Sequence, residues 1–195
     1  MNIKIKKLTP EMAADYVHFF DVTPHDDAVY EHKCYCVMWS QDDYAGQDLS
    51  SAEARRAIAL QNVKDGKIQG YLAYYDDKIV GWCNANTRSE CLKCQGGVWY
   101  MSDVPKDDPG VKVKSVFCFV IAPEMRRKGI SKLFLEEVCR DATLDGFDYV
   151  ESYPNKEFNS ERFDYMGPIR IYEECGFIKT FEWDTKVIMR KALHV

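Results

Sequence analysis

The chain alternates short apolar runs with longer amphipathic stretches, a pattern typical of a protein that contains both strands and helices. Runs rich in Val, Ile, Phe and Tyr predict strands, and apolar residues that recur every three or four positions predict helices. The predicted strands cover residues 3–7, 70–75, 78–86, 115–121, about 149–152, 177–183 and 185–191. Helices are predicted from Thr9 to about residue 20, from about residue 51 to 64, from Ile130 to about 142, and around Tyr172.

The segment from residue 87 to 112 has no regular apolar period and contains Gly96, Gly97, Pro105 and Pro109. Loops of this length within a compact domain are often functional. Because the segment directly precedes the central apolar strand, two interpretations stay open. It either covers a functional site or is a mobile insertion without a catalytic role.

The central apolar strand leads into a basic loop and then into a helix. Pro123 ends the strand because proline cannot donate to a sheet ladder. Four cationic residues follow: Arg126, Arg127, Lys128 and Lys132. Gly129 lies among them, and without a Cβ it lets an anion approach the backbone closely. Since the first turn of a helix has unpaired N–H groups and a positive dipole end, the sequence predicts a phosphate or pyrophosphate site here. A plain strand–helix connection with solvated cations is the alternative.

Composition predicts a single domain over residues 1–195, because 46% hydrophobic content in a chain of this length can form a sizeable core. The net charge of −5 argues against nucleic acid or an anionic membrane as a partner. The longest uncharged apolar run, residues 116–123, is too short to span a bilayer. The first residues lack the apolar segment of a secretory signal. We therefore expect a cytoplasmic protein.

The eight cysteines allow more than one interpretation. Several lie within apolar patterns, where a free thiol behaves as a small hydrophobe, and a reduced compartment disfavours disulfides. Cys34, Cys36, Cys91 and Cys94 would suffice for a tetrahedral zinc site. However, C-x-C is not the usual zinc-finger spacing and no histidine completes a set. We expect no metal and interpret Cys34 and Cys36 as walls of a substrate pocket.

Two motifs, in a fixed order, carry a family resemblance. The spacing Arg126-x-x-Gly129-x-Ser131 resembles the Q/R-x-x-G-x-G/A signature of the GNAT superfamily of acyl-CoA-dependent N-acyltransferases, although Ser131 stands where Gly or Ala is usual. Downstream, the stretch from Tyr172 to Phe177 resembles the Y-E-x-x-G-F hallmark of that family. A predicted strand separates the two motifs, as the family requires. Further blocks, including the C-x-C pair, resemble a poorly characterised branch and extend the resemblance over most of the chain.

The resemblance implies a twisted, mixed but mostly antiparallel sheet of about seven strands, flanked by about four helices and split between its central strands. It implies acetyl-CoA as co-substrate, with its pyrophosphate on the basic loop and its pantetheine arm added to the edge of the central strand. A backbone N–H of Val120 or Ile121 would polarise the thioester carbonyl. The implied cofactor-binding residues are Phe119, Val120, Ile121, Arg126, Arg127, Lys128, Gly129, Ile130, Ser131 and Lys132.

The resemblance also assigns part of the chemistry. Tyr172 is the implied general acid, because a phenol and a thiolate leaving group have similar proton affinities, and a packed tyrosine without a chemical role is the alternative. The general base is not fixed by a motif. We name Glu151, at the end of a strand beside the cofactor slot, with Glu90 and Asp103 as alternatives in the long loop. Trp82 joins the two C-x-C cysteines as an expected substrate-binding residue.

The predicted function is transfer of an acetyl or short acyl group to the primary amine of a small molecule, by direct attack in a ternary complex. Two alternatives stay open: the same chemistry on a protein N-terminus or lysine, and a non-catalytic CoA- or metal-binding sensor. Acidic residues in the variable region would attract a cationic acceptor of either size. They are Asp15, Asp21, Asp26, Asp27, Asp42, Asp43 and Asp48. A homodimer is compatible with the sequence, and His25 and His32 are interpreted as solvated loop residues.

Overall fold

The structure, a computed structural model, describes residues 2–23, 29–41, 43–160 and 164–194. Seven strands form one sheet in the order β1-β2-β3-β4-β5-β7-β6. They are β1 (Lys4–Lys7), β2 (Gly70–Tyr75), β3 (Lys78–Thr87), β4 (Val113–Ile121), β5 (Tyr149–Ser152), β6 (Ile178–Trp183) and β7 (Lys186–Ala192). Only the β4–β5 pair is parallel, and the other neighbours are antiparallel. The predicted mixed, mostly antiparallel sheet is confirmed.

Helices cover both faces of the sheet. Those in the described part of the chain are α1 (Ala13–Val22), α2 (Ala52–Lys64), α3 (Gln95–Tyr100), α4 (Ile130–Leu144) and α5 (Ile169–Glu174). One hydrophobic cluster joins α1 and α2 to the sheet, and a second joins α4 and α5 to its opposite face. None of these helices is long and apolar enough to cross a membrane.

The helix α3 lies within the segment that the sequence predicts as an irregular loop. Two glycines in its first turn, Gly96 and Gly97, are poor helix formers, so the sequence does not predict a helix here. They are needed for packing, because a Cβ on Gly96 would lie 2.6 Å from Cδ2 of Trp39 and a Cβ on Gly97 would lie 2.2 Å from the carbonyl oxygen of Cys91. The segment is therefore partly ordered by close contact with the body of the protein.

The central strand β4 separates from β5 halfway along its length. The two strands pair only from Val113 with Tyr149 to Val116 with Ser152. On its other side β4 stays paired with β3 as far as Ile121, with an irregular register that leaves Phe117 as an extra residue. Such a bulge bends a strand and increases its twist. The split that the sequence predicts is thus present, and it exposes the last residues of β4.

A buried ion cluster ties the segment before β4 to the far half of the sheet. Glu151 on β5 accepts from Arg190 on β7 (2.6 Å) and from Arg88 (3.3 Å), and both arginines also bind Asp107 at 2.6 Å. The Glu151 side chain is fully buried and that of Arg88 is 7% exposed. Breaking a buried pair leaves an uncompensated charge, which costs far more than losing an exposed pair.

We expect Glu151→Ala to lower the free energy of unfolding by about 3 kcal/mol, because Arg88 and Arg190 lose their shared carboxylate. The control is Glu137→Ala, which removes an ion pair to the exposed Arg140 on α4 and should cost less than about 1 kcal/mol. Urea unfolding followed by circular dichroism measures both. Equal losses in the two variants would contradict a structural role for this cluster.

Candidate active site

A cavity of about 880 Å³ opens beside the unpaired end of β4. Most of its walls come from the end of β4, the basic loop with the start of α4, the turn around the C-x-C pair, and the segment leading into α5, and the end of α1 adds Phe20 and Thr23. The cavity therefore runs from the predicted pyrophosphate site, along the exposed strand, to a group of thiols and aromatic rings. The long segment before β4 contributes one wall residue, Tyr100.

Strand alternation determines which backbone groups of β4 face the split. Ala122 donates its N–H to Val80, on the β3 side (3.0 Å), whereas Phe119 donates to the carbonyl of Tyr165, on the opposite side (2.7 Å). Because successive N–H groups point to opposite sides of a strand, the N–H of Ile121 faces the split and that of Val120 faces β3. Of the two N–H groups of Val120 and Ile121, only that of Ile121 is directed into the split.

The basic loop has the geometry of an anion site. Gly129 is the N-cap of α4 with φ of 79°, and no side chain caps this helix end. Nothing lies within 4 Å of the position that a Cβ on Gly129 would take. Arg127 also has a positive φ, 57°, and lines the cavity. Neighbouring cations are held in place, since Arg126 Nε donates to the carbonyl of Ile121 (3.2 Å) and Lys132 Nζ lies 3.2 Å from Glu174.

The structure brings most of the predicted site residues together. Every predicted cofactor-binding residue lines the cavity except Lys128, whose Nζ lies 3.6 Å from Met125 Sδ. Cys34 and Cys36 line it as well, but Trp82 is fully buried behind them. His32 is exposed and lines no part of the cavity. His25, Asp26, Asp27 and Asp42 lie outside the described residues.

Tyr172 lies one layer away from the cavity. Its side chain is fully buried. Its ring lies tilted against that of Phe119, a cavity wall residue, with 6.5 Å between the ring centroids. Its hydroxyl donates to the carbonyl of Met166 (2.5 Å) and lies 2.8 Å from Ser152 Oγ. Burial raises the pKa of Tyr172 above its usual value. A role as acid requires this hydroxyl to exchange the Met166 carbonyl for the leaving sulfur.

Glu151 does not face the cavity, which corrects the expectation that it stands beside the cofactor slot. Its carboxylate is enclosed by Arg88 and Arg190 in the ion cluster described above. Burial is the largest influence and raises the pKa of Glu151, while both arginines oppose the rise. A fully buried and doubly paired carboxylate has no path to an incoming amine, so Glu151 does not serve as the base.

The inner end of the cavity contains residues that sequence reasoning missed. Cys118 on β4, Tyr165 and Tyr100 line it together with Cys34 and Cys36. The sequence does not indicate that Cys118 lines a cavity, because this residue lies in an apolar run that predicts only burial. Tyr165 stands seven positions before Tyr172, in the segment that leads into α5.

The described residues do not form a metal site. No group of three or more His, Cys, Asp or Glu side chains is arranged to hold a metal ion. Cys91 and Cys94 interact with one another, and Cys94 Sγ accepts from the N–H of Gly97 (3.2 Å) at the start of α3. Within the described chain, Cys34 and Cys36 therefore line the cavity, whereas Cys91 and Cys94 lie at the start of α3.

The chain belongs to the GNAT acetyltransferase family, because the model of this family matches residues 28–177. Among solved structures, it is similar to PaiA N-acetyltransferase from Thermoplasma acidophilum, in complex with coenzyme A (15% identity, TM-score 0.52, covering 98% of this chain and 99% of that one). It is also similar to an acetyltransferase of the family from Streptococcus pneumoniae (16%, 0.52, 98% and 99%). YncA from Salmonella typhimurium, solved with acetyl-CoA, has 12% identity and a TM-score of 0.53 over 98% of this chain and 94% of that one. These likenesses show the fold. Among curated protein sequences none matches significantly.

We expect Gly129→Ala to weaken CoA binding at least tenfold, or about 1.4 kcal/mol, because its methyl group occupies the space where a diphosphate would approach the backbone. The matched control is Gly146→Ala. Gly146 has φ of 73° and equally open surroundings, but it lies at the other end of α4, away from the cavity. Both variants carry the same backbone strain, about 1–2 kcal/mol.

Titration calorimetry with CoA and thermal unfolding, applied to both variants, separate binding from stability. Equal loss of CoA affinity in both variants would show that strain, rather than occupation of the anion site, causes the effect.

Proposed function

We propose that this protein transfers an acetyl group from acetyl-CoA to the primary amine of a small molecule, by direct attack in a ternary complex. The observation that carries the proposal is the continuous cavity, which joins an anion site at Gly129, a free strand edge at Ile121 and an enclosed aromatic end. We also propose a single catalytic domain that acts in the reducing cytoplasm, consistent with eight free cysteines.

The residues along the cavity fit the parts of acetyl-CoA. The first turn of α4 and Arg127 suit the pyrophosphate, since both offer positive charge to an anion. The N–H of Ile121 suits a partner that adds to the strand edge. The structures of PaiA and YncA with CoA-type ligands support this choice. Acetyl-CoA supplies the thioester carbon that an amine attacks. A backbone N–H held in place at that carbon stabilises the developing oxyanion.

The acceptor end of the cavity favours an amine with an apolar body. Its walls include Phe20, Met38, Trp39 and Tyr100. The carboxylates that line the cavity, Asp164 and Glu174, already have partners: Asp164 accepts from Asn155 and from two backbone N–H groups, and Glu174 binds Lys132 and Arg170.

Acidic residues of the variable region add little attraction for a polycation in the described part of the chain. Asp21 forms a two-point ion pair with Arg56, with contacts of 2.9 Å, and Asp15, Asp43 and Asp48 are exposed and do not line the cavity. A small aryl or alkyl amine therefore suits the enclosed walls better than a polycation or a protein chain.

We expect arylalkylamines to release CoA thiol from acetyl-CoA with a kcat/KM at least about tenfold higher than a polyamine or a short peptide with a free N-terminus, because apolar walls bind an apolar body. A coupled thiol assay across these three acceptor classes makes the comparison. Peptide as the best acceptor would favour the protein-acetylation alternative. CoA binding without turnover on any amine would favour the sensor.

Tyr172 stays the proposed donor of a proton to the leaving thiolate. Its raised pKa suits this role only if the thiolate is equally desolvated beside Phe119. We expect Tyr172→Phe to lower kcat about tenfold or more while the Kd for CoA is unchanged. A steady-state assay of product formation measures kcat, and titration calorimetry measures the Kd for CoA. Unchanged kcat with a lower unfolding temperature would show that the hydroxyl only joins Ser152 to Met166.

A further inference from the structure

We propose that Cys36 is the general base of the reaction, and that its thiolate accepts the proton that the acceptor amine loses. The inference rests on the transferase function proposed above and supplies the catalytic group that no motif assigns. It replaces Glu151, which the ion cluster encloses.

Cys36 lies at the inner end of the cavity, among the thiols and aromatic rings that line it. Cys36 and Cys118 both line the cavity. Cys118 lies in the part of β4 after Val116, which has no strand partner on its β5 side. Trp39, a wall of the acceptor end, follows Cys36 by three residues. An amine held among these walls would therefore share the inner end of the cavity with the sulfur of Cys36.

The backbone around Cys36 is held in a conformation that side chains rarely adopt. Tyr35 and Cys36 have φ of 46° and 53°, in the left-handed region. Such strain concentrates at functional sites, where surrounding contacts enforce it. Here the Tyr16 hydroxyl donates to the carbonyl of Tyr35 (2.8 Å), and the N–H of Cys36 lies 3.4 Å from Cys34 Sγ. These contacts hold the backbone that carries the Cys36 thiol.

Hydrogen-bond donors converge on the Cys36 sulfur. The neighbouring Cys118 thiol has the largest influence in lowering the pKa of Cys36, and Asn84 Nδ2 donates to the sulfur at 3.4 Å. Trp82 Nε1 is buried without a hydrogen-bond partner in the described part of the structure, and it also favours the anionic sulfur. A thiolate beside Trp82 would give this orphaned N–H an acceptor. Together these donors lower the pKa of Cys36 although burial opposes them.

The other titratable groups around Cys36 stay protonated or have their own partners. They are Cys34, Cys83, Cys94, Cys118, Tyr16 and Tyr165. Burial raises the pKa of Cys34 to about 11, and hydrogen bonding to Cys36 raises that of Cys118. The neighbouring Cys91 thiol lowers the pKa of Cys94, but Cys94 does not line the cavity. Of the three thiols that line the cavity, Cys36 is therefore the one that loses its proton most readily.

The proton balance of the step is complete. The amine nitrogen forms a bond to the acetyl carbon, and its proton passes to the Cys36 thiolate. The carbon–sulfur bond of the thioester breaks, and the leaving thiolate takes the Tyr172 proton of the proposed function. Cys36 then loses a proton to solvent and Tyr172 regains one, so the products are an amide and CoA thiol.

The first test is the pH dependence of kcat/KM with an arylamine acceptor that is uncharged over the range, which removes the acceptor's own titration. A base with a lowered pKa is active above that pKa, so the wild-type rate should rise with pH and level off below the range of an ordinary thiol. In Cys36→Ser, we expect this rise of kcat/KM with pH to disappear. We also expect kcat/KM to fall about a hundredfold while the affinity for CoA is unchanged. The control Cys175→Ser, at the end of α5 and outside the cavity, should stay within about twofold.

The second test does not depend on turnover. Iodoacetamide labelling at each pH, quantified by peptide mass spectrometry, should give Cys36 a lower midpoint than Cys175, whose pKa burial raises. A Cys36 midpoint at or above that of Cys175, or no labelling of Cys36, overturns the proposal. Acetylated Cys36 trapped without acceptor also overturns it, because the sulfur would then be a nucleophile. If no amine turns over while Cys36 labels as expected, the transferase function fails and the lowered thiol pKa stands.

Discussion

The separation of β4 from β5 after Val116 and Ser152 is the constraint on which the site depends. Every backbone N–H of a buried strand needs an acceptor. On the β3 side, the sheet supplies these acceptors, but on the opposite side the carbonyl of Tyr165 supplies only one, to Phe119. The N–H of Ile121 is left directed to the split, two residues before the basic loop begins its turn. The sheet itself therefore creates a strand edge to which an extended ligand can bind, next to an anion site.

Two features on the same face of the sheet maintain this separation. Phe117, the extra residue of β4, stacks on Trp39 at 4.5 Å between centroids and on Tyr153 at 5.9 Å. The ion cluster around Glu151 joins β5, β7 and the segment before β4 near the point where the parallel pairing ends. Close packing and buried charge thus act together at the point where β4 and β5 part. The division of roles explains why a carboxylate near the site is structural while thiols line the cavity.

Local signals in the sequence predicted the parts of the site that depend on neighbouring residues. Pro123, Gly129 and the apolar period from Ile130 predict the strand, loop and helix in order, and the structure has all three. The same reasoning was wrong about access to Glu151, because its burial depends on Arg88 and Arg190, which are 63 and 39 positions away. It also gave no chemistry to Cys36, whose donor Asn84 is 48 positions distant. Contacts between remote residues decide the protonation of a side chain, and residue type and spacing do not contain them.

The most direct test of the central claim is amide hydrogen exchange at single-residue resolution, with and without CoA. The account predicts that CoA slows exchange at Ile121 and in the first turn of α4, around Gly129 to Ser131, while the N–H of Phe119, already bonded to Tyr165, changes little. CoA binding that leaves exchange at Ile121 and at the start of α4 unchanged would contradict the claim that the free strand edge and this helix end hold the ligand.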